Sequence, residues 1–194
     1  MSILSKIKLR ELNGKPVSRD MYEEGIRELA EEMREIFSGL SEKQKEKINK
    51  DCENHKKRFQ DKYKNILDNL SPIPAVKMKT LVNVMLQKSR QFEHLDDKEI
   101  FDFVMGDFYD LYFELEVAVE EFMELNEAVA RKSMTFLMES DGADVRLSAE
   151  KIQDALENIN NLLPCKSDSD VEEVFKFHSI LASYMQNFLS KEML

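Results

Sequence analysis

The chain has 194 residues, 42% of them hydrophobic and 34% charged, with a formal net charge of −10. That length and composition suit one soluble globular domain with a core of ordinary size. The charge argues against general affinity for nucleic acid or anionic lipid, and charges interrupt every apolar stretch well short of the roughly 20 residues a membrane span needs. The start, MSILSKIKLREL, lacks the continuous apolar region and small-residue cleavage site of a secretory signal, and two cysteines cannot build a disulfide framework. A cytoplasmic protein with free thiols is expected.

Five glycines and four prolines fall where helical periodicity fails, so the pattern divides into six helices with short joints. Residues 1–17 form an arm, and IKLREL within it is the one segment with extended character. The first helix is expected over 18–40, where Tyr22, Ile26, Leu29, Met33, Ile36 and Leu40 recur at spacings of three and four. Gly39 is expected to stop it in the left-handed conformation. The second, over 41–70, opens on a capping box of Ser41 and Gln44 and carries one narrow coiled-coil-like seam: Ile48, Cys52, His55, Phe59, Tyr63, Ile66 and Leu70. SPIP ends it, because Pro72 and Pro74 cannot continue a helix interior but can open the next.

The third helix, 75–93, is apolar nearly all round and is expected to be central. The fourth, 96–138, is capped by Asp96 and Glu99. Straight, it would run roughly 60 Å at 1.5 Å per residue, far beyond a radius of gyration near 16 Å for about 200 residues. The bundle is therefore elongated or this helix bends, with Gly106 the favoured place. The fifth helix covers 148–163 and stops at Pro164; the sixth covers 169–192 and opens on a Ser169–Glu172 capping box. The expected fold is thus all-α, a single elongated helical bundle.

Charge is sorted by segment. Residues 96–127 hold twelve acids and one base, Lys98, whereas 41–64 hold nine bases and five acids. A solvated face accounts for much of the acidic stripe, but Phe103, Phe113 and Val117 stand among the acids, where a face meant only for water has no use for them. They mark a second contact, either internal, with the basic helix along it, or external, with a partner. On the basic helix Lys47, Lys50, Lys57 and Arg58 are the corresponding partner-binding residues, with the ordinary solubilising role of lysines as the alternative. Exposed pairs of this kind contribute under about 1 kcal/mol each and select orientation more than they stabilise.

Chemistry is sparse. Cys52 and His55 lie three apart on one helix face, and Cys165 with His178 would complete a tetrahedral zinc set if those helices met there; core thiols and imidazoles are the simpler reading. The segment VEEFMELNEAVAR, with Glu121 and Glu124, resembles the first ExxE element of the all-α nucleoside triphosphate pyrophosphohydrolases. That resemblance implies magnesium held between two helices by hard carboxylates, with Glu150 and Asp154 as the second pair. AEKIQDALENI departs from that pattern, since Lys151 stands where the second glutamate belongs and Glu150 is one residue out of register. No Gly-rich phosphate loop, HExxH, CxxC or GxSxG is present. The leading expectation is a non-catalytic regulatory, adaptor or assembly subunit that binds a protein partner, itself included as a homodimer, and needs no cofactor. A magnesium-dependent pyrophosphohydrolase-like enzyme and a nucleic-acid-associated subunit using 41–64 are the alternatives.

Overall fold

The computed structural model describes residues 24, 27–28, 30–31, 34–35, 37–133 and 144–192, the backbone alone at 132–133 and 189–192. The described residues form helices and no strand. The all-α class therefore holds. The extended arm expected over 1–17, the apolar positions Tyr22, Ile26, Leu29, Met33 and Ile36, and the stretch 134–138 lie outside the described residues.

By its contacts the chain divides into two units, Met1–Arg58 and Phe59–Leu194. In the first, the described residues of 24–39 are helical, and Leu40 N–H reaches the Phe37 carbonyl at 3.3 Å as the turn ends. Gly39 does not take the left-handed conformation expected of it. The reason is local. Ser38 Oγ caps the Glu35 carbonyl at 2.8 Å, and Ser41 opens the next helix two residues later, so no reversal is needed. That helix, α1, spans Glu42–Leu67 and crosses into the second unit. Its expected capping box is present: Ser41 N–H donates to Gln44 Oε1 at 2.9 Å and Gln44 N–H to Ser41 Oγ at 3.4 Å.

The second unit is a helical bundle. Helix α2 (Pro74–Ser89) starts with Pro74 in its first turn, where a missing N–H costs nothing, and buries Met78, Leu81, Val82 and Met85. It packs against the later helices Tyr109–Leu125 and Val145–Leu162 but leaves Val76 42% exposed, so it is covered on two sides and not all round as its composition suggested. A 3₁₀ turn, Arg90–His94, replaces its expected last turn and buries Phe92. Asp96 and Glu99 then form a complete capping box on α3 (Asp97–Phe103), with bonds of 2.8 and 2.9 Å.

The long fourth helix is interrupted twice. A wide turn over Val104–Phe108 holds Gly106 at φ −88°, ψ −130°, outside the helical region, and α4 (Tyr109–Leu125) begins after it. At Asn126 the side-chain amide donates back to the Phe122 carbonyl at 2.8 Å, which competes with helix propagation and separates α4 from α5 (Glu127–Ser133). Helix α6 (Val145–Leu162) starts three residues before the expected Ser148, because Asp144 accepts the Leu147 N–H at 2.7 Å. Helix α7 (Asp168–Glu192) is capped by Ser167, which accepts the Asp170 N–H at 3.2 Å, while Asp170 Oδ2 takes the Lys166 N–H at 2.7 Å. The expected Ser169–Glu172 box is thus replaced by the same chemistry two residues earlier.

One core joins these helices. Phe108, Leu111 and Leu115 of the 104–125 segment, Ile152, Leu156 and Ile159 of α6, and Leu181, Met185 and Phe188 of α7 are essentially inaccessible, and α6 against α7 is the most extensive pairing. Side chains of this size contribute about 1.5–3 kcal/mol each on full burial. No helix among the described residues is long and apolar enough to cross a membrane.

Candidate functional site

Helix α1 changes character at residue 59. From Glu42 to Arg58 no residue is buried, Lys45 alone is half-buried, and the seam positions Ile48 (41%), Cys52 and His55 are exposed. From Phe59 onward the same seam is covered. Phe59 and Tyr63 are buried, their rings tilted against each other at 4.9 Å between centroids, and are followed by Ile66, Leu67 and Leu70 against the core.

Lys47, Lys50, Lys57 and Arg58 all lie on the uncovered half, exposed and without an ion pair among the described residues. The 42–58 segment carries seven bases (Lys43, Lys45, Lys47, Lys50, Lys56, Lys57, Arg58) against four acids. The buried half is tied down by other chemistry: Lys62 pairs with Asp107, whose carboxylate also accepts from the Tyr63 hydroxyl at 3.4 Å. Lys88 sits over the Tyr63 ring at 5.2 Å and the Phe103 ring at 6.0 Å, and burial there lowers its pKa from the ordinary lysine value. Within the second unit, therefore, basic α1 and the acidic 96–127 segment do meet, at Lys62 and Asp107.

The three apolar residues among the acids separate. Phe103 faces inward, against Phe92 at 5.8 Å edge-on and Phe108 at 6.1 Å, so it belongs to the core and not to a partner face. Phe113 is 62% exposed and Val117 half-buried. With Glu120 and Glu124, both exposed and without an ion pair among the described residues, they make one stripe along α4 at the i, i+4, i+7, i+11 spacing.

The four carboxylates of the magnesium reading are not gathered. Glu121 faces Lys77, whose Nζ lies 3.2 Å from both oxygens; Asp154 pairs with Lys151 at 3.7 Å; Glu124 and Glu150 are exposed. Among the described residues no group of three or more His, Cys, Asp and Glu is placed to hold a metal ion. A lysine ammonium on Glu121 occupies the position where that reading needs a cation.

His178 has a different partner, which sequence reading missed. Its Nε2 lies 2.6 Å from Glu116 Oε1, joining α7 to α4, and Tyr112 hydrogen-bonds the same carboxylate. Burial pushes Glu116 upward, but the hydrogen bond and charge of His178, with the Tyr112 hydroxyl, hold its pKa below the ordinary carboxyl value. Tyr112 is driven far above the usual phenol range by burial first and the Glu116 charge second. Glu116 is one of twelve acids in its stretch, and its partner is 62 positions away; an acid at i+4 from an inward phenol is the only local signal.

Shallow grooves also lie on the second unit. One, of about 250 Å³, is lined by Leu86, Arg90, Gln153, Glu157, Asn160 and Asn161; the other, of about 440 Å³, by Gln60, Leu67, Leu70, Ser71, Pro72, Lys77 and Glu114. Comparison of the chain with known protein families, curated proteins and solved structures finds no match.

Proposed function

We propose that this protein works by binding and not by catalysis, docking an acidic protein partner on the basic half of α1. What carries the reading is the contrast within that one helix: Glu42–Arg58 displays seven bases and an apolar seam with nothing buried, while Phe59–Leu67 is anchored in the core. Most helical stability in a protein comes from tertiary packing of one face, which the 42–58 half lacks. Continuity with an anchored turn keeps it helical, so its lysines and arginine are presented at fixed spacing before any partner arrives, which lowers the ordering cost of association. A regulatory, adaptor or assembly role uses such a surface.

Fluorescence anisotropy with a labelled polyglutamate peptide tests this. The full chain is expected to bind it, with affinity falling steeply as salt is raised through the range where the Debye length shortens from about 30 to 8 Å. The combined variant Lys47→Glu, Lys50→Glu, Lys57→Glu, Arg58→Glu should lose that binding while its circular dichroism is unchanged. Equal binding by the variant, or binding of duplex DNA in preference to the acidic peptide, would contradict the proposal.

A further inference from the structure

The smaller groove of the second unit carries both signs of charge and a partner for neither. Arg90 stands where α2 passes into the 3₁₀ turn, and the backbone around it is fixed. Ser89 before it is buried and its Oγ donates to the Leu86 carbonyl at 2.9 Å, while Arg146 holds the Phe92 and Leu95 carbonyls at 3.4 and 2.6 Å. On α6, Gln153, Glu157, Asn160 and Asn161 follow at i, i+4, i+7 and i+8, so they share the side of the helix next to its buried row of Ile152, Leu156 and Ile159. Arg90 and Glu157 both line the groove, both are exposed, and neither has an ion pair among the described residues. No base stands three or four positions from Glu157 to neutralise it along the helix. Asn160 adds an unmet acceptor: its Oδ1 is buried without a hydrogen-bond partner, while its backbone carbonyl is already taken by the Lys79 ammonium. An amide oxygen left so is costly, and the soft terminal torsion of an asparagine lets it turn to a donor in the groove.

Size and chemistry together narrow the ligand. The groove's volume of about 250 Å³ is below the roughly 300–1,000 Å³ of sites for drug-sized molecules, and Leu86 is the one apolar residue lining it, so it suits something small and polar. A guanidinium takes a carboxylate through paired N–H donors. A carboxylate such as that of Glu157 takes an ammonium, and the amides of Gln153 and Asn161 each offer a donor and an acceptor, which is what another amide needs. We infer that this groove between α2 and α6 binds a free α-amino acid with an amide side chain. Its carboxylate lies on Arg90, its ammonium on Glu157 and the Asn160 amide oxygen, and its side chain on Gln153 and Asn161. A ligand carrying both charges satisfies two residues that line one groove without reaching each other. The site is separate from the basic half of α1 and does not depend on the role proposed there.

An NMR titration of the isotope-labelled full chain with L-glutamine tests this. Saturable shifts are expected in the side-chain amide signals of Gln153, Asn160 and Asn161. N-acetyl-L-glutamine, which lacks the ammonium, and γ-aminobutyramide, which lacks the carboxylate, should each bind at least about tenfold more weakly, one charge-assisted contact being lost. Arg90→Gln should bind L-glutamine as weakly as the wild type binds γ-aminobutyramide, and should lose nothing further towards γ-aminobutyramide itself. Glu157→Gln should behave in the same way towards N-acetyl-L-glutamine. Both residues are exposed, so the substitutions leave the core untouched, which far-UV circular dichroism checks. No saturable shift, shifts centred elsewhere, equal affinity for the three compounds, or variants that bind L-glutamine as the wild type does would each overturn the inference.

Discussion

Two halves of a single helix, Glu42–Arg58 and Phe59–Leu67, share one seam and one period yet differ in everything that burial controls. In the first, Ile48, Cys52 and His55 face solvent and the charge is basic; in the second, Phe59 and Tyr63 are sealed against the core and Lys62 is neutralised by Asp107. Local periodicity makes the helix, and only long-range packing decides which part of it is structural. The uncovered half is where a binding function has room to act.

The largest effect expected from this contrast is in the core. Leu156→Ala, at a site with no exposure in the most extensive helix pairing, should cost about 2–5 kcal/mol by transfer and cavity terms together. Ile48→Ala should stay within about 0.5 kcal/mol, as exposed substitutions do. Urea midpoints for the two variants measure the difference, and comparable losses would mean that Ile48 is packed.

Next comes the Glu116–His178 link. Glu116→Gln should destabilise by about 1–3 kcal/mol at neutral pH, because it leaves a half-buried partner poorly satisfied. The pH dependence follows from the direction of the shift. Glu116 titrates lower folded than unfolded, so below the ordinary value of 4.5 the unfolded chain binds the extra proton. Its contribution is complete above that value and disappears as pH falls through the lower folded one. Stability measured from neutral pH down through that window should decline less for Glu116→Gln than for wild type.

Smaller still is Asp96→Ala, which removes the side-chain acceptor of the Glu99 N–H from the capping box at the start of α3 and should cost about 1 kcal/mol. Smallest are Lys50→Glu and Lys57→Glu, expected to leave thermal stability unchanged within about 0.5 kcal/mol, since neither residue is buried or paired among the described residues. A large loss from either would place it in an internal contact.

What could be read from sequence divides along the same line. The Ser41–Gln44 and Asp96–Glu99 boxes are legible because their chemistry closes within four residues, and the break at Gly106 because a straight 96–138 helix would outrun a compact core. Ser169–Glu172 misleads because KSDSD offers two equivalent registers and the choice falls to Asp170, whose carboxylate takes the Lys166 N–H. Phe103 and Phe113 look alike beside their acids, but one turns onto Phe92 and Phe108 and the other outward, a distinction set by the break at Gly106. Glu121 reads as a metal ligand until Lys77 is found across from it, and Glu116 reads as one more surface acid until His178 is. The seam of α1 is the sharpest case, since period cannot tell Ile48 from Phe59.

Residue-resolved amide hydrogen exchange, on the chain alone and with polyglutamate added, tests most directly whether α1 is half anchor and half docking surface. In the free chain at low concentration, amides of Glu42–Arg58 should exchange much faster than those from Tyr63 to Leu67 in the same helix, and acidic peptide should slow the 42–58 amides selectively. Uniform protection along α1, or peptide-induced protection appearing elsewhere, would contradict the division.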